Sequence, residues 1–251
     1  MDDKRNQPEL HLLRKHGGEE LMAQALRVLR TGGLLFNGVN QYASIPHNDS
    51  LYLSGDFTVM FWASLGTPYR IWTGVVDKGR DAHSDFWFLT RAEPYGVLFG
   101  IGFTDNTFFE MYFPLVNLHE WHLYCGGVEG SRMFTSMDGR SKAYSSFTKE
   151  RRVGTLPITI GCRSVVVAFA AVRVSQLLVY RRALSNEEIL WNRYYPDNPV
   201  RKGLVAWLHW SSIDVDSAMW YDISGFGNHA TLYNKPTPAI RKALRVLPSA
   251  R

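Results

Sequence analysis

Cysteine is scarce in this chain: Cys125 and Cys162 are the only two in 251 residues. Two are too few for a disulfide framework, so both read as buried free thiols inside strands, with a pairing of the two as the alternative. Long apolar runs are missing as well. The longest, Val165 to Val172, falls far short of the ~20 residues that span a bilayer, so membrane insertion is not expected. The start, Met1 to Pro8, is polar and holds no apolar h-region, which reads as a soluble protein without a Sec leader. Acid is absent from the last stretch, where Lys235, Arg241, Lys242, Arg245 and Arg251 stand with no Asp or Glu, five charges against a net +5 for the whole chain. So modest a cluster reads as a solvated basic tail, and specific nucleic-acid binding is not expected. No His-Glu-x-x-His, G-x-S-x-G elbow, Walker loop or clustered Cys/His spacing occurs either. His119 and His122 are three apart, which places them on opposite faces of a strand.

What the chain does have is apolar and aromatic residues, 45% and 14%, enough for one large core, and β-sandwiches of roughly 200–250 residues are routinely one domain. Leu21, Met22, Ala25, Leu26 and Leu29 recur at helical spacing after Glu19-Glu20, so residues 1–33 are expected to form an arm or helix. From Leu34 short alternating runs separated by turn residues predict an all-β sandwich and not βαβ units. Leu34 to Phe36, the turn dipeptide Asn37-Gly38, and Gln41 to Ile45 read as a hairpin ending at Pro46. Further strands are expected over 56–65, 71–78, 85–91, 96–103, 107–113, 120–128, 132–137, 140–147, 157–162 and 171–180. Ser185 and Glu188 form a capping box opening a short helix through Trp191, and strand-like runs resume over 203–210, 218–223 and 229–233.

Laid out this way, most of the chain resembles the LamG-like jelly rolls of the concanavalin A-like lectin and glucanase superfamily. The resemblance rests on the Gly33–Pro46 stretch, Leu53 to Trp62, Val75 to Gly79, Glu120-Trp121-His122, Met137-Asp138-Gly139, Pro157 to Gly161 and Val172 to Ile189. One departure is in the order. The segments that ordinarily open the fold, matched here by Gly203 to Trp210 and Trp220 to His229, stand at the C-terminal end. Ala25 to Leu29 recurs as Ala243 to Leu247, a faint echo in the same direction. The expected architecture is thus a circularly permuted jelly-roll β-sandwich over 34–234, with a main body 34–195, displaced strands 196–234 and a basic tail 235–251. The displaced strands complete their own sandwich or a neighbour's, and the intramolecular version is favoured because natural termini of such domains lie close together.

The superfamily includes glucanases, whose E-x-D-x-x-E signature is absent; Asp81-Ala82-His83-Ser84-Asp85 is the nearest approximation and reads as a solvated loop. A non-enzyme is expected. The eight tryptophans suggest sugar stacking on an aromatic face. Trp62, Trp121 and Trp207 match positions that look like core, and Trp191 is expected to pack from the helix, which leaves Trp72, Trp87, Trp210 and Trp220 as the exposed glycan-binding candidates. The resemblance also allows a calcium ion (Ca2+), with Asp222 and Asn228 as the positions to watch, although a plain turn in which Asp222 caps its own loop is the favoured reading. Leu21, Leu26, Arg241, Lys242 and Arg245 are candidate contacts of assembly arms. The expected function is a non-catalytic lectin-like protein with a structural or assembly role, a homo-oligomer or larger assembly such as a virion capsid, decoration or spike subunit at a virion or extracellular surface. The alternative is a carbohydrate-binding adhesion or receptor-binding module, with a glycoside hydrolase a distant third.

Overall fold

The computed structural model describes residues 32–79, 85–91, 95–163 and 166–238. In chain order these form β1 (Leu34–Asn37), β2 (Tyr42–Ile45), β3 (Phe57–Leu65), β4 (Gly74–Lys78), β5 (Phe86–Thr90), β6 (Val97–Gly102), β7 (Phe108–Tyr112), β8 (Trp121–Glu129), β9 (Arg132–Met137), β10 (Ala143–Ser146), β11 (Ile158–Ile160) and β12 (Ala171–Tyr180). The helix α1 (Asn186–Tyr194) follows, then β13 (Leu204–Asp214), β14 (Met219–Asp222), β15 (Ala230–Tyr233) and β16 (Thr237–Pro238). Every strand predicted from the sequence appears, β9 and β12 over the same residues and the rest with ends moved. The predicted helix and arms at 1–31 and 239–251 lie outside the described residues.

The ladder runs β10-β9-β8-β3-β12-β13-β14-β15-β2-β11-β4-β5-β6-β7 and folds over on itself, its register slipping between Leu208 and Ile213 of β13. Alternation along each strand sends Phe57, Val59, Phe61 and Ala63 inward from β3 and Phe86 and Phe88 inward from β5. They meet as rings: Phe61 and Phe88 lie 4.9 Å apart edge to face, Phe57 and Phe86 5.5 Å, and Phe88 stacks on Phe99 at 4.7 Å. A second, smaller core on the outer face of β3, β8 and β12 contains Met60, Trp62, Leu123, Leu178 and Trp207 and is covered by α1 through Ile189. The predicted capping box is present, Ser185 Oγ accepting from Glu188 N and Glu188 accepting from Ser185 N at 2.8 Å. Trp191 does not insert with Ile189; it is half-buried, stacked on Tyr195 at 3.9 Å. Both cysteines are buried free thiols, and burial pushes Cys162 up to about 12, which suppresses the reactive thiolate.

The C-terminal strands pair within their own chain. β13 lies against β12 from Leu204↔Tyr180 to His209↔Gln176, and β15 against β2 through Leu232↔Ala43. β1 and β2, however, are not a hairpin. β1 pairs with β12 and, through Leu34↔Pro238, with β16, whereas β2 pairs with β11 and β15. Asn37-Gly38 therefore turns an arch between ladders. The Asn37 side chain accepts from the amides of Val39, Asn40 and Gln41. Gly38 has φ +70° and sits so close to Ala171 N that a Cβ would lie 2.9 Å from it. The 234–236 link runs beside this arch, held by Gln41 Nε2 donating to the carbonyls of Asn234 and Lys235.

Candidate functional site

Burial sorts the tryptophan candidates. Trp220 is wholly in the core, its Nε1 donating to the His209 carbonyl at 2.8 Å. Trp87 is 3% exposed: it lies flat over Gly100, donates to Glu110 Oε1 at 3.1 Å and meets Phe108 edge to face. Neither indole has a free face for a sugar, which corrects their expected exposure. The period-2 pattern placed both on strands but carried no information on what packs above each face. Trp210 is half-buried against Gly32. Trp72 alone of the four is exposed, at 45%.

Trp72 belongs to the 66–74 stretch, which is bound to residues 166–171 by backbone pairs. Gly66 N donates to Ala171 O, Gly74 N to Ala168 O at 3.0 Å, and Gly74 bridges Phe169. From the other side Trp72 N donates to Thr90 O at 2.8 Å, and the hydroxyls of Thr73 and Thr90 meet at 2.7 Å. The contact is so close that a Cβ on Gly74 would lie 2.3 Å from the Cys162 carbonyl. Three non-glycine residues here adopt left-handed backbone, Trp72 (φ 60°), Val166 (φ 57°) and Ala168 (φ 50°). Such conformations cost of order 1–3 kcal/mol each and persist only when the surroundings over-determine them; for a β-branched valine the conformation is a genuine outlier. The frame thus holds Ile71, Trp72, Val166 and Val167 out in solvent.

The apolar rim continues along the same end. Phe169 lies 6.2 Å from the Tyr42 ring, and Tyr42 stacks on exposed Tyr233 at 4.5 Å with planes 3° apart. Two basic side chains lie beside these loops. Arg70 is exposed, and the Arg91 guanidinium lies over the Tyr112 ring at 4.6 Å. Tyr69, whose hydroxyl bonds the Arg91 and Gly96 carbonyls, has its pKa raised, chiefly by burial. Sequence reasoning found Trp72 and missed Ile71, Val166, Val167, Phe169 and Tyr233. The signal was the apolar run Val165 to Val172, of which Val166 and Val167 are exposed.

Carboxylates are arranged differently. Asp81 and His83 lie outside the described residues, and Asp85 is buried against Lys78. Asp77, Trp87, Gly100 and Glu110 form a row across β4 to β7, and burial raises the Glu110 pKa despite the Trp87 hydrogen bond. Asp77 and Glu110 are three strands apart, about 14 Å between backbones, beyond the about 5–9.5 Å separations that retaining or inverting glycoside hydrolysis uses. Among the described residues no cluster of three or more His, Cys, Asp or Glu could hold a metal. At the calcium candidate, Asp222 Oδ1 accepts from Trp207 N and Ser224 N, and Oδ2 from Ser224 Oγ and Asn228 N, all within 2.8–2.9 Å. Asn228 Nδ2 donates to Ser50 Oγ and Val205 O. A cation would have to displace donors from a carboxylate they already fill. Leu21, Leu26, Arg241, Lys242 and Arg245 lie outside the described residues.

A family model described as Laminin_G_3, concanavalin A-like lectin/glucanases superfamily, matches residues 37–190, a span that ends before β13. Among curated proteins none matches the chain significantly. Among solved structures, a candidate carbohydrate-binding protein of Bacteroides ovatus superposes with TM-score 0.65 at 13% identity, covering 85% of this chain and 61% of that one. The binding domain of botulinum neurotoxin serotype G gives 0.52 at 10%, covering 65% and 42%. The heptameric SAP-like pentraxin of Limulus polyphemus gives 0.51 at 14%, covering 81% and 95%. This chain therefore spans less than two thirds of the first two. At these identities the likeness is one of fold.

Proposed function

We propose that this chain, which belongs to the concanavalin A-like lectin/glucanase superfamily, is a non-catalytic lectin-like binding module that holds a glycan at the Trp72 end of the sandwich. The observation that carries this reading is the pairing of the 66–74 stretch with residues 166–171. Left-handed backbone at Trp72, Val166 and Ala168 is kept by close backbone contact, and its result is an exposed indole flanked by apolar side chains. An indole face stacks on the C–H face of a pyranose ring, and a rigid frame spares the ordering cost of binding. The wide separation of Asp77 and Glu110 supports the non-catalytic part of the proposal. Glycan-array binding of the wild type and of Trp72→Ala tests it. The wild type should bind and the variant should lose at least tenfold in affinity, with stability changed by less than about 1 kcal/mol. Equal binding by both, or none by the wild type, overturns it.

The assembly reading, a virion capsid, decoration or spike subunit, remains a second proposal resting on the two arms. Light scattering of the full chain tests it: a defined oligomer supports it, and a monomer at high concentration removes it.

A further inference from the structure

Lys78 ends β4 and Asp85 precedes β5, and the Asp85 amide donates to the Lys78 carbonyl at 2.9 Å, closing the connection between the strands. Both side chains are turned away from water, 0% and 1% exposed, and Lys78 Nζ contacts Asp85 Oδ2 directly. Nζ also donates to the Gly154 carbonyl at 2.5 Å. The other oxygen, Asp85 Oδ1, is buried without a hydrogen-bond partner among the described residues. Arg151 lies in the same electrostatic environment, its guanidinium over the Phe57 ring at 4.8 Å and Nη2 donating to the Leu53 and Gly55 carbonyls. Arg151 Nη1 is also buried without an acceptor. A dry ion pair of this kind gains little over its desolvation cost. Nothing in the binding site uses it.

We propose that Lys78 and Asp85 condense within the folded protein to an intramolecular isopeptide bond. The condensation begins with a proton passing from the Lys78 ammonium to the Asp85 carboxylate across their direct contact, which leaves an amine and a carboxylic acid held together away from water. Burial acts in the same direction by raising the Asp85 pKa, ahead of the lowering by Lys78 and Arg151. Nζ then attacks Cγ, the carbon bonded to the oxygen it already touches. The N–C bond forms, the C–OH bond breaks, and the hydroxyl leaves with an amine proton as one water; no oxidant or cofactor takes part. The positive charge of Arg151, which acts on Asp85 through space, stabilises the negative oxygen of the tetrahedral state. Fixed contact supplies the proximity that makes such a step effectively unimolecular. The product clamps β4 to the start of β5 independently of hydrogen bonding.

The test is the mass of the denatured full chain, followed by peptide mapping. The expected result is a chain lighter by one water, a branched peptide joining Lys78 to Asp85, and return to the full mass in both Lys78→Met and Asp85→Ala. Denatured mass does not depend on whether a variant folds, and the branched peptide is read on the wild type itself. A full-mass wild type overturns the proposal. So does a water loss that persists in Lys78→Met and reverses in mild alkali, the behaviour of a succinimide at Asp138-Gly139.

Discussion

Asp222→Ala is the substitution that separates a self-capped turn from a metal site. The carboxylate takes four donors, and the amides of Trp207 and Asn228 are buried where water cannot replace it. Orphaning a buried donor costs about 1–3 kcal/mol. Two such amides give about 2–6 kcal/mol, and the partly exposed Ser224 amide and hydroxyl add only about 0.5–1 kcal/mol each because water reaches them. The expected loss centres near 5–6 kcal/mol, a large part of a typical domain's 5–15 kcal/mol. Asp222→Asn keeps one acceptor oxygen but turns an NH2 toward two donors, so about half that loss is expected. Urea unfolding, run once with calcium and once with chelator, reads both variants; the slope with denaturant should not change, since the surface exposed on unfolding is the same. A loss under about 1 kcal/mol, or one that appears only when calcium is present, would refute the reasoning and assign the carboxylate to a cation.

Gly74→Ala should cost about 2–3 kcal/mol by forcing Gly74 away from Cys162 and Arg163, since its Cβ has no room beside the Cys162 carbonyl; thermal melting reads the loss, and glycan affinity should fall with it. Glu188 receives both Arg182 Nη1 and Nη2 at 2.7 Å. Burial raises its pKa, but the Arg182 and Ser185 bonds outweigh this, and the folded value lies below the 4.5 of an unperturbed Glu. A depressed folded pKa contributes stability that is present above the unfolded value and is lost as pH falls through the folded one. Glu188→Gln should therefore lose about 1 kcal/mol at neutral pH and converge with the wild type in acid; parallel unfolding curves at every pH would contradict this. Asp138 adds to the same acid sensitivity. Burial pushes its pKa up, but the His122 hydrogen bond and the Leu123 amide bring it below the usual value.

The sequence by itself determined the fold class, the strand positions, the capping box at Ser185 and Glu188, and the displaced order of the last strands. Those features are local: alternation with period 2 commits each stretch to a pleated strand, and capping and turn chemistry act within three or four residues. The arch at Asn37-Gly38 was not legible, because the dipeptide marks where the chain reverses and not which strands then share hydrogen bonds. That was decided by contacts across nearly the whole chain, β1 against β16 and β2 against β15. The tryptophans show the same division. Alternation cannot distinguish Trp87, which has Glu110 and Phe108 packed beside it from β7, from an indole facing water. Trp72 is exposed because Thr90 and Ala168 fix the backbone around it. Side-chain exposure is a property of neighbours distant in sequence, and so the candidate site was decided only when the layers closed.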